Sequence, residues 1–109
     1  MSRAMRIGTL SLLSLTLMLV GCTFVKLTPG GELVRILDAQ DVTQCERVGN
    51  TSATVAEQVG IFKRPPEKLA QEVEHAARNA AAEMGGDTLV PRGPLRAGRR
   101  GYDVYRCIR

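Results

Sequence analysis

The chain has 109 residues, 15 basic against 11 acidic, with a formal net charge of +4 at pH 7 and 44% hydrophobic content. That length makes one small domain with no room for a second. Two Phe, two Tyr and no Trp leave little to stack on bases, so nucleic acid is set aside as a partner.

Met1 to Arg6 is short and positive through Arg3 and Arg6, and Ile7 to Val20 is uncharged and rich in Leu. Leu19-Val20-Gly21-Cys22 closes this run with a small residue before a cysteine. The layout is that of a secretory signal. The apolar run is shorter than the roughly 20 residues a bilayer-spanning helix needs. Its ending resembles the bacterial lipobox, in which the cysteine is acylated and becomes the first mature residue. Residues 1–21 are read as signal peptide, 22–31 as a lipidated tether, and 32–109 as a small periplasmic domain. Cys22 is the expected lipidation site, which makes the membrane a partner through the N-terminal lipid. Thr23 after Cys22, rather than Asp, resembles the outer-membrane sorting pattern and places the anchor there, facing the periplasm.

In the mature chain, Pro29-Gly30 suits the centre of a type II turn. Leu33 to Leu37 reads as a short strand broken by Asp38 to Asp41, and Val42 to Val48 as a second strand stopping at Gly49-Asn50. Residues 50–64 fit either a strand or a packed loop. Pro65-Pro66 opens the clearest element. Leu69, Val73, Ala76, Ala77, Ala80, Ala81 and Met84 recur on one helix face, with Glu67, Glu72, Glu74, Arg78 and Glu83 mostly opposite. Gly85-Gly86 ends that helix, one of them in a left-handed cap. Asp87 to Val90 is a strand stopped by Pro91, residues 92–101 turn the chain, and Tyr102 to Ile108 is the last strand.

With Cys22 acylated, Cys45 and Cys107 remain, and an oxidising compartment pairs two such thiols. One lies early and the other late in its strand, so the two strands are expected to be antiparallel. The 87–90 strand and the last strand form a second antiparallel pair. The 42–48 and 87–90 strands are then parallel, linked by the helix as a crossover, with the last strand between them. The expected fold is α+β: one helix packed on a small mixed β-sheet, tied by one disulfide.

Cys45-Glu46-x-x-Gly49, the Ala-rich helix ending in Ala81-x-x-Met84-Gly85-Gly86-Asp87-Thr88-Leu89-Val90, and the closing Tyr105-Arg106-Cys107 follow the lipobox cysteine in that order. This pattern resembles the small Gram-negative lipoproteins of domain-of-unknown-function family 4156. More distantly it is similar to the stress-sensing outer-membrane lipoprotein of the Rcs phosphorelay. The first resemblance implies a fold and a location; the second would imply signalling. The Rcs sensor, however, has four mature cysteines and a long Pro-rich linker where this chain has two and almost none.

Residues that could carry chemistry are few. His75 is the single histidine, whereas a metal site needs several converging ligands, so neither metal nor other cofactor is expected. No catalytic residue is assigned, because no Ser or Cys context resembles an activated nucleophile. The surface feature of interest is Arg92, Arg96, Arg99 and Arg100, a basic, Gly-containing stretch expected to be mobile and outside any strand. Arg holds anionic groups bidentately, so an anionic lipid or an acidic envelope protein is the expected partner. The expected function is a non-catalytic binding or stress-sensing module at the membrane. The alternative is a small envelope hydrolase, which would need a cleft with converging titratable groups.

Overall fold

A computed structural model describes residues 25–108; the signal peptide, Cys22 and Thr23 lie outside the described residues. The first element is a single helical turn, α1 (Pro29–Glu32). The Thr28 hydroxyl caps it by accepting from the Gly31 amide at 3.0 Å. Pro29 suits the first helical position, where an N–H would find no partner. Pro29-Gly30 therefore starts a helix and does not form the type II turn expected. The Leu33 amide closes that turn on the Gly30 and Gly31 carbonyls. The first strand, β1, is in consequence only Arg35–Ile36, and Leu33 is left 76% exposed.

A 3-10 turn over Ala39–Val42 leads to Cys45 and strand β2 (Glu46–Thr54). The strand expected over 42–48 is corrected at both ends. Val42 belongs to the 3-10 turn, and Gly49-Asn50 does not stop the strand. A partner strand lies alongside β2 from Glu46 to Thr54, with one irregularity between Arg47 and Gly49, where Val48 is the extra residue of a bulge and Gly49 stays paired with Val104. Buried Val55 follows, then a small hairpin of β3 (Gln58–Val59) and β4 (Phe62–Lys63), which resolves the stretch 50–64. Helix α2 (Pro66–Glu83), β5 (Thr88–Pro91) and β6 (Arg99–Arg106) complete the chain. The last strand thus starts three residues before the expected Tyr102, and it ends earlier too.

The main sheet has the order β1-β5-β6-β2. β1 is parallel to β5, while β6 is antiparallel to both β5 and β2. β2 and β5 are therefore parallel to each other, with α2 between them in sequence. This is the α+β fold with a mixed sheet expected from the sequence. The helix lays Leu69, Val73, Ala77 and Ala81 on Leu89, Tyr102 and Val104 of the central strands, and Val34, Ala53 and Val55 close the core. Ala77 and Ala81 are completely buried, so two methyl groups set how near helix and sheet approach.

Two sequence expectations on α2 fare differently. Gly85, with φ of 81°, takes the left-handed position. The Gly86 amide bonds the Ala81 carbonyl and that of Gly85 the Ala82 carbonyl, a Schellman ending. Glu72, expected on the wet face, is only 7% exposed. It is tolerated because Arg64, just before the helix, folds over it as an ion pair.

Cys45 and Cys107 are joined, their Cα atoms 4.5 Å apart, where β2 begins and β6 has just ended. The bond closes a sequence separation of 62, a loop worth roughly 4 kcal/mol on chain-entropy grounds. Beside it, the Asp87 carboxylate accepts from the Cys107 amide at 2.8 Å, the Ile108 amide at 2.9 Å and the Thr88 hydroxyl at 2.8 Å. Burial alone would raise its pKa. The two amides, the hydroxyl and the nearby charge of Arg35 outweigh burial and hold it below its ordinary value.

Candidate functional site

At the opposite end of the sheet β2 and β5 finish, β6 begins and α2 starts. The turn between β5 and β6 is tight at its tip: Arg96 and Arg99 exchange both backbone hydrogen bonds at 2.9 Å. Between them Ala97 (φ 50°) and Gly98 (φ 69°) both take the left-handed conformation, as a type I′ turn requires. The Gly98 carbonyl accepts from the Val55 amide at 2.8 Å. Any side chain at 98 would collide with the Val55 carbonyl and press on Glu57 at the root of the β3–β4 hairpin. The loop expected to be mobile is thus pinned at its tip. Arg99 and Arg100, expected outside any strand, belong to β6, and Arg96 forms an isolated bridge with Arg99.

The four candidate arginines split three to one. Arg92, Arg96 and Arg99 are exposed. Arg92 lies 3.8 Å from Asp103, which Arg47 also holds at 3.0 Å. Among the described residues, no acid pairs with Arg96 or Arg99. Arg100 turns inward: its Nε donates to the Gly93 carbonyl at 2.7 Å, and its guanidinium lies 5.8 Å from the centre of the Tyr102 ring. It braces the loop from within.

Arg100 and Tyr102 also line a pocket of about 80 Å³ with Glu74 and the apolar side chains of Ile36, Val73 and Leu95. Burial pushes the Tyr102 hydroxyl above its ordinary pKa; Arg100 opposes this and Glu74 adds to it. Glu74 is already held by Arg78 at 2.7 Å. The lining contains no Ser, Thr or Cys, and sites for drug-sized ligands run about 300–1,000 Å³. The pocket can take a few waters or one small polar group. Among the described residues, no group of three or more His, Cys, Asp or Glu is placed to hold a metal ion.

Three features of the molecule escape sequence reading. The first is the hairpin tip, where Val59, Ile61 and Phe62 are 48%, 88% and 75% exposed. The signal was there as an apolar run interrupted by Gly60, but four residues are too few to show a period. The second is Arg64 over Glu72. The third is Asn79, whose amide donates to the Lys26 carbonyl at 2.7 Å while its oxygen accepts from the Thr28 amide at 2.9 Å. His75, half-buried, has Nδ1 3.4 Å from the Val25 carbonyl. From Val25 onward the tether is therefore laid along α2.

A family profile described as Domain of unknown function (DUF4156) matches residues 25–107. The chain belongs to this family. No curated protein and no solved structure matches the chain, and the more distant likeness to the Rcs lipoprotein is not confirmed. The DUF4156 match spans both the clamped N-terminal segment and the disulfide, so the tether from Val25 onward, the hairpin, the arginine turn and the sheet all fall within the family's domain.

Proposed function

We propose that the protein is an envelope lipoprotein, acylated at Cys22 and held at the outer membrane facing the periplasm. Its domain acts there as a non-catalytic binding or stress-sensing module for an anionic partner. The observation that carries this reading is the arginine turn. Arg96 and Arg99 stand exposed on a type I′ turn locked to the core, with no paired acid among the described residues. A fixed turn presents two guanidinium groups without the entropic cost of ordering a loop, and their field steers anionic groups. Supporting the anchor is the Leu-Val-Gly-Cys junction at 19–22. Among the described residues no helix is long and apolar enough to cross a membrane.

The test uses the full chain expressed in a Gram-negative host. Labelled palmitate should enter the parent and not Cys22→Ser, which should accumulate as precursor. Cross-linking in intact envelopes should capture a partner with the parent, with capture falling as salt rises. Arg96→Ser/Arg99→Ser should lose most of that capture while melting like the parent. A variant that keeps every cross-link removes the binding role from these arginines, and normal processing of Cys22→Ser removes the anchor.

A further inference from the structure

The hairpin tip has no role in the core. Single exposed apolar residues are ordinary on protein surfaces, but Val59, Ile61 and Phe62 fall within four positions at one turn. The turn stands clear of the domain: a Cβ built on Gly60 would meet nothing within 4 Å. The rest of the hairpin is firmly held. The Arg64 amide bonds the Glu57 carbonyl at 2.8 Å, and the Arg64 side chain is paired with buried Glu72.

The path of the N-terminal segment says what lies in front of this tip. Gly30 rests against Ala82, Thr28 and Lys26 bond Asn79, and Val25 lies at His75. Followed back toward its start, the chain descends α2 from its C-terminal end toward Pro66. The hairpin adjoins that same N-terminal end through Arg64-Pro65. Cys22 is three positions before Val25, with only Thr23 and Phe24 between them, a reach of about 10 Å at full extension. From His75 to Pro66 is about 14 Å along the helix axis. The described chain therefore begins, at Val25, on the flank of α2 that ends at the hairpin. The exposed arginines lie at this end too, because Gly98 abuts Val55 and Glu57.

On these grounds, and resting on the acylation of Cys22 proposed above, we infer that the β3–β4 hairpin is a membrane-contact wedge. Ile61 and Phe62 enter the headgroup boundary of the bilayer that holds the lipid, and Arg96 and Arg99 face its phosphates. An apolar tip flanked by basic side chains is the composition of an interfacial element. A second copy of the chain is the poorer occupant. Three side chains fall far short of the about 800 Å² per partner that a stable interface buries. A tip this small binds weakly alone and acts because the lipid keeps it at high local concentration. Lipid and hairpin together would fix the orientation of the domain on the membrane.

The chain contains no Trp, so Phe62→Trp provides a single fluorescent reporter at the tip, and Leu33→Trp, near the far end of α2, provides the control. Full-length acylated protein is reconstituted into vesicles of phosphatidylethanolamine and phosphatidylglycerol. The tip indole should be quenched by lipids carrying a nitroxide on the acyl chain and be several-fold less accessible to aqueous iodide than the control indole. If mass spectrometry shows the lipid on Cys22 but the tip stays as open to iodide as the control, the wedge is overturned and the anchor stands. If shielding of the tip grows with protein density without nitroxide quenching, the hairpin meets a second copy and the wedge is likewise overturned. In the Cys22→Ser background the uncleaved leader, apolar from Ile7 to Val20, serves as tether. An unacylated parent would end the anchor reading, while the tip reporter in that background still decides for or against the wedge.

Discussion

Where β2 begins and β6 has just ended, Cys45 is joined to Cys107, Asp87 gathers two amides and a hydroxyl, and Gly85 closes α2. At the other end, Ile61 and Phe62 stand in solvent and Arg92, Arg96 and Arg99 are exposed. The first end spends its polar and sulfur chemistry on itself. The second is also internally fastened, by Arg64 on Glu72 and by Gly98 on Val55, but those fastenings hold up side chains that are left exposed. In a domain with so thin a core, covalent closure at one end lets the other keep an exposed apolar tip and exposed charge without loss of the fold.

The largest effect should come from the closed end. Cys45→Ser/Cys107→Ser should lose roughly 3–4 kcal/mol of stability, read by denaturant unfolding against the oxidised parent. An unchanged midpoint would show that the sheet alone holds that end. Next is the ion pair under the hairpin. Arg64→Met leaves the Glu72 carboxylate buried without its cation and should cost about 2–3 kcal/mol, and the added change Glu72→Met should restore much of it. A double-mutant cycle measures both, and a null coupling would mean that the hairpin root is held by backbone alone. Gly98→Ala should cost about 2 kcal/mol, from a left-handed side chain and the collision with Val55. It should also disorder the arginine turn, seen as faster hydrogen exchange at Val55.

A smaller effect separates the ends by pH. Asp87 has a folded pKa below its ordinary value of 3.8, so its contribution is complete above that value and fades as pH falls through the lower, folded value. Acid should therefore loosen the Asp87 latch below about pH 3.8. Asp87→Asn should flatten that part of the acid limb in thermal melts across pH. Combined with Phe62→Trp, it should leave the indole emission at the far end unmoved. The smallest effect on stability should come from Arg96→Ser/Arg99→Ser, within about 0.5 kcal/mol. A larger loss would place these side chains in the structure of the turn rather than on its surface.

What could be read from the sequence depended on how local its cause was. Helix α2 was legible because Leu69, Val73, Ala77 and Ala81 repeat over four turns before a Gly-Gly stop. The disulfide followed from counting cysteines, and with it the antiparallel pairing of β2 and β6. Glu72 was misread because its burial depends on Arg64, which lies before the helix and outside its period. Gly49-Asn50 looked like a strand end, yet β6 carries β2 through it, a cause more than fifty positions away. The arginines were legible as a charge cluster, but only the register of β6 shows that Arg100 turns inward while Arg99 does not. Asn79 was invisible for the same reason: a polar residue on a helix shows its role only when the segment it clamps is in view.

The covalent loop from Cys45 to Cys107 encloses the hairpin, the whole of α2 and the arginine turn. A protease that cuts at the exposed Ile61 would therefore not divide the molecule. The N-terminal piece would keep any lipid, while the C-terminal piece, bearing the arginines, would stay attached to it through sulfur. Under denaturing conditions such a nicked chain would migrate as one species until a reductant is added, and only then would its C-terminal fragment part from the piece that carries the lipid.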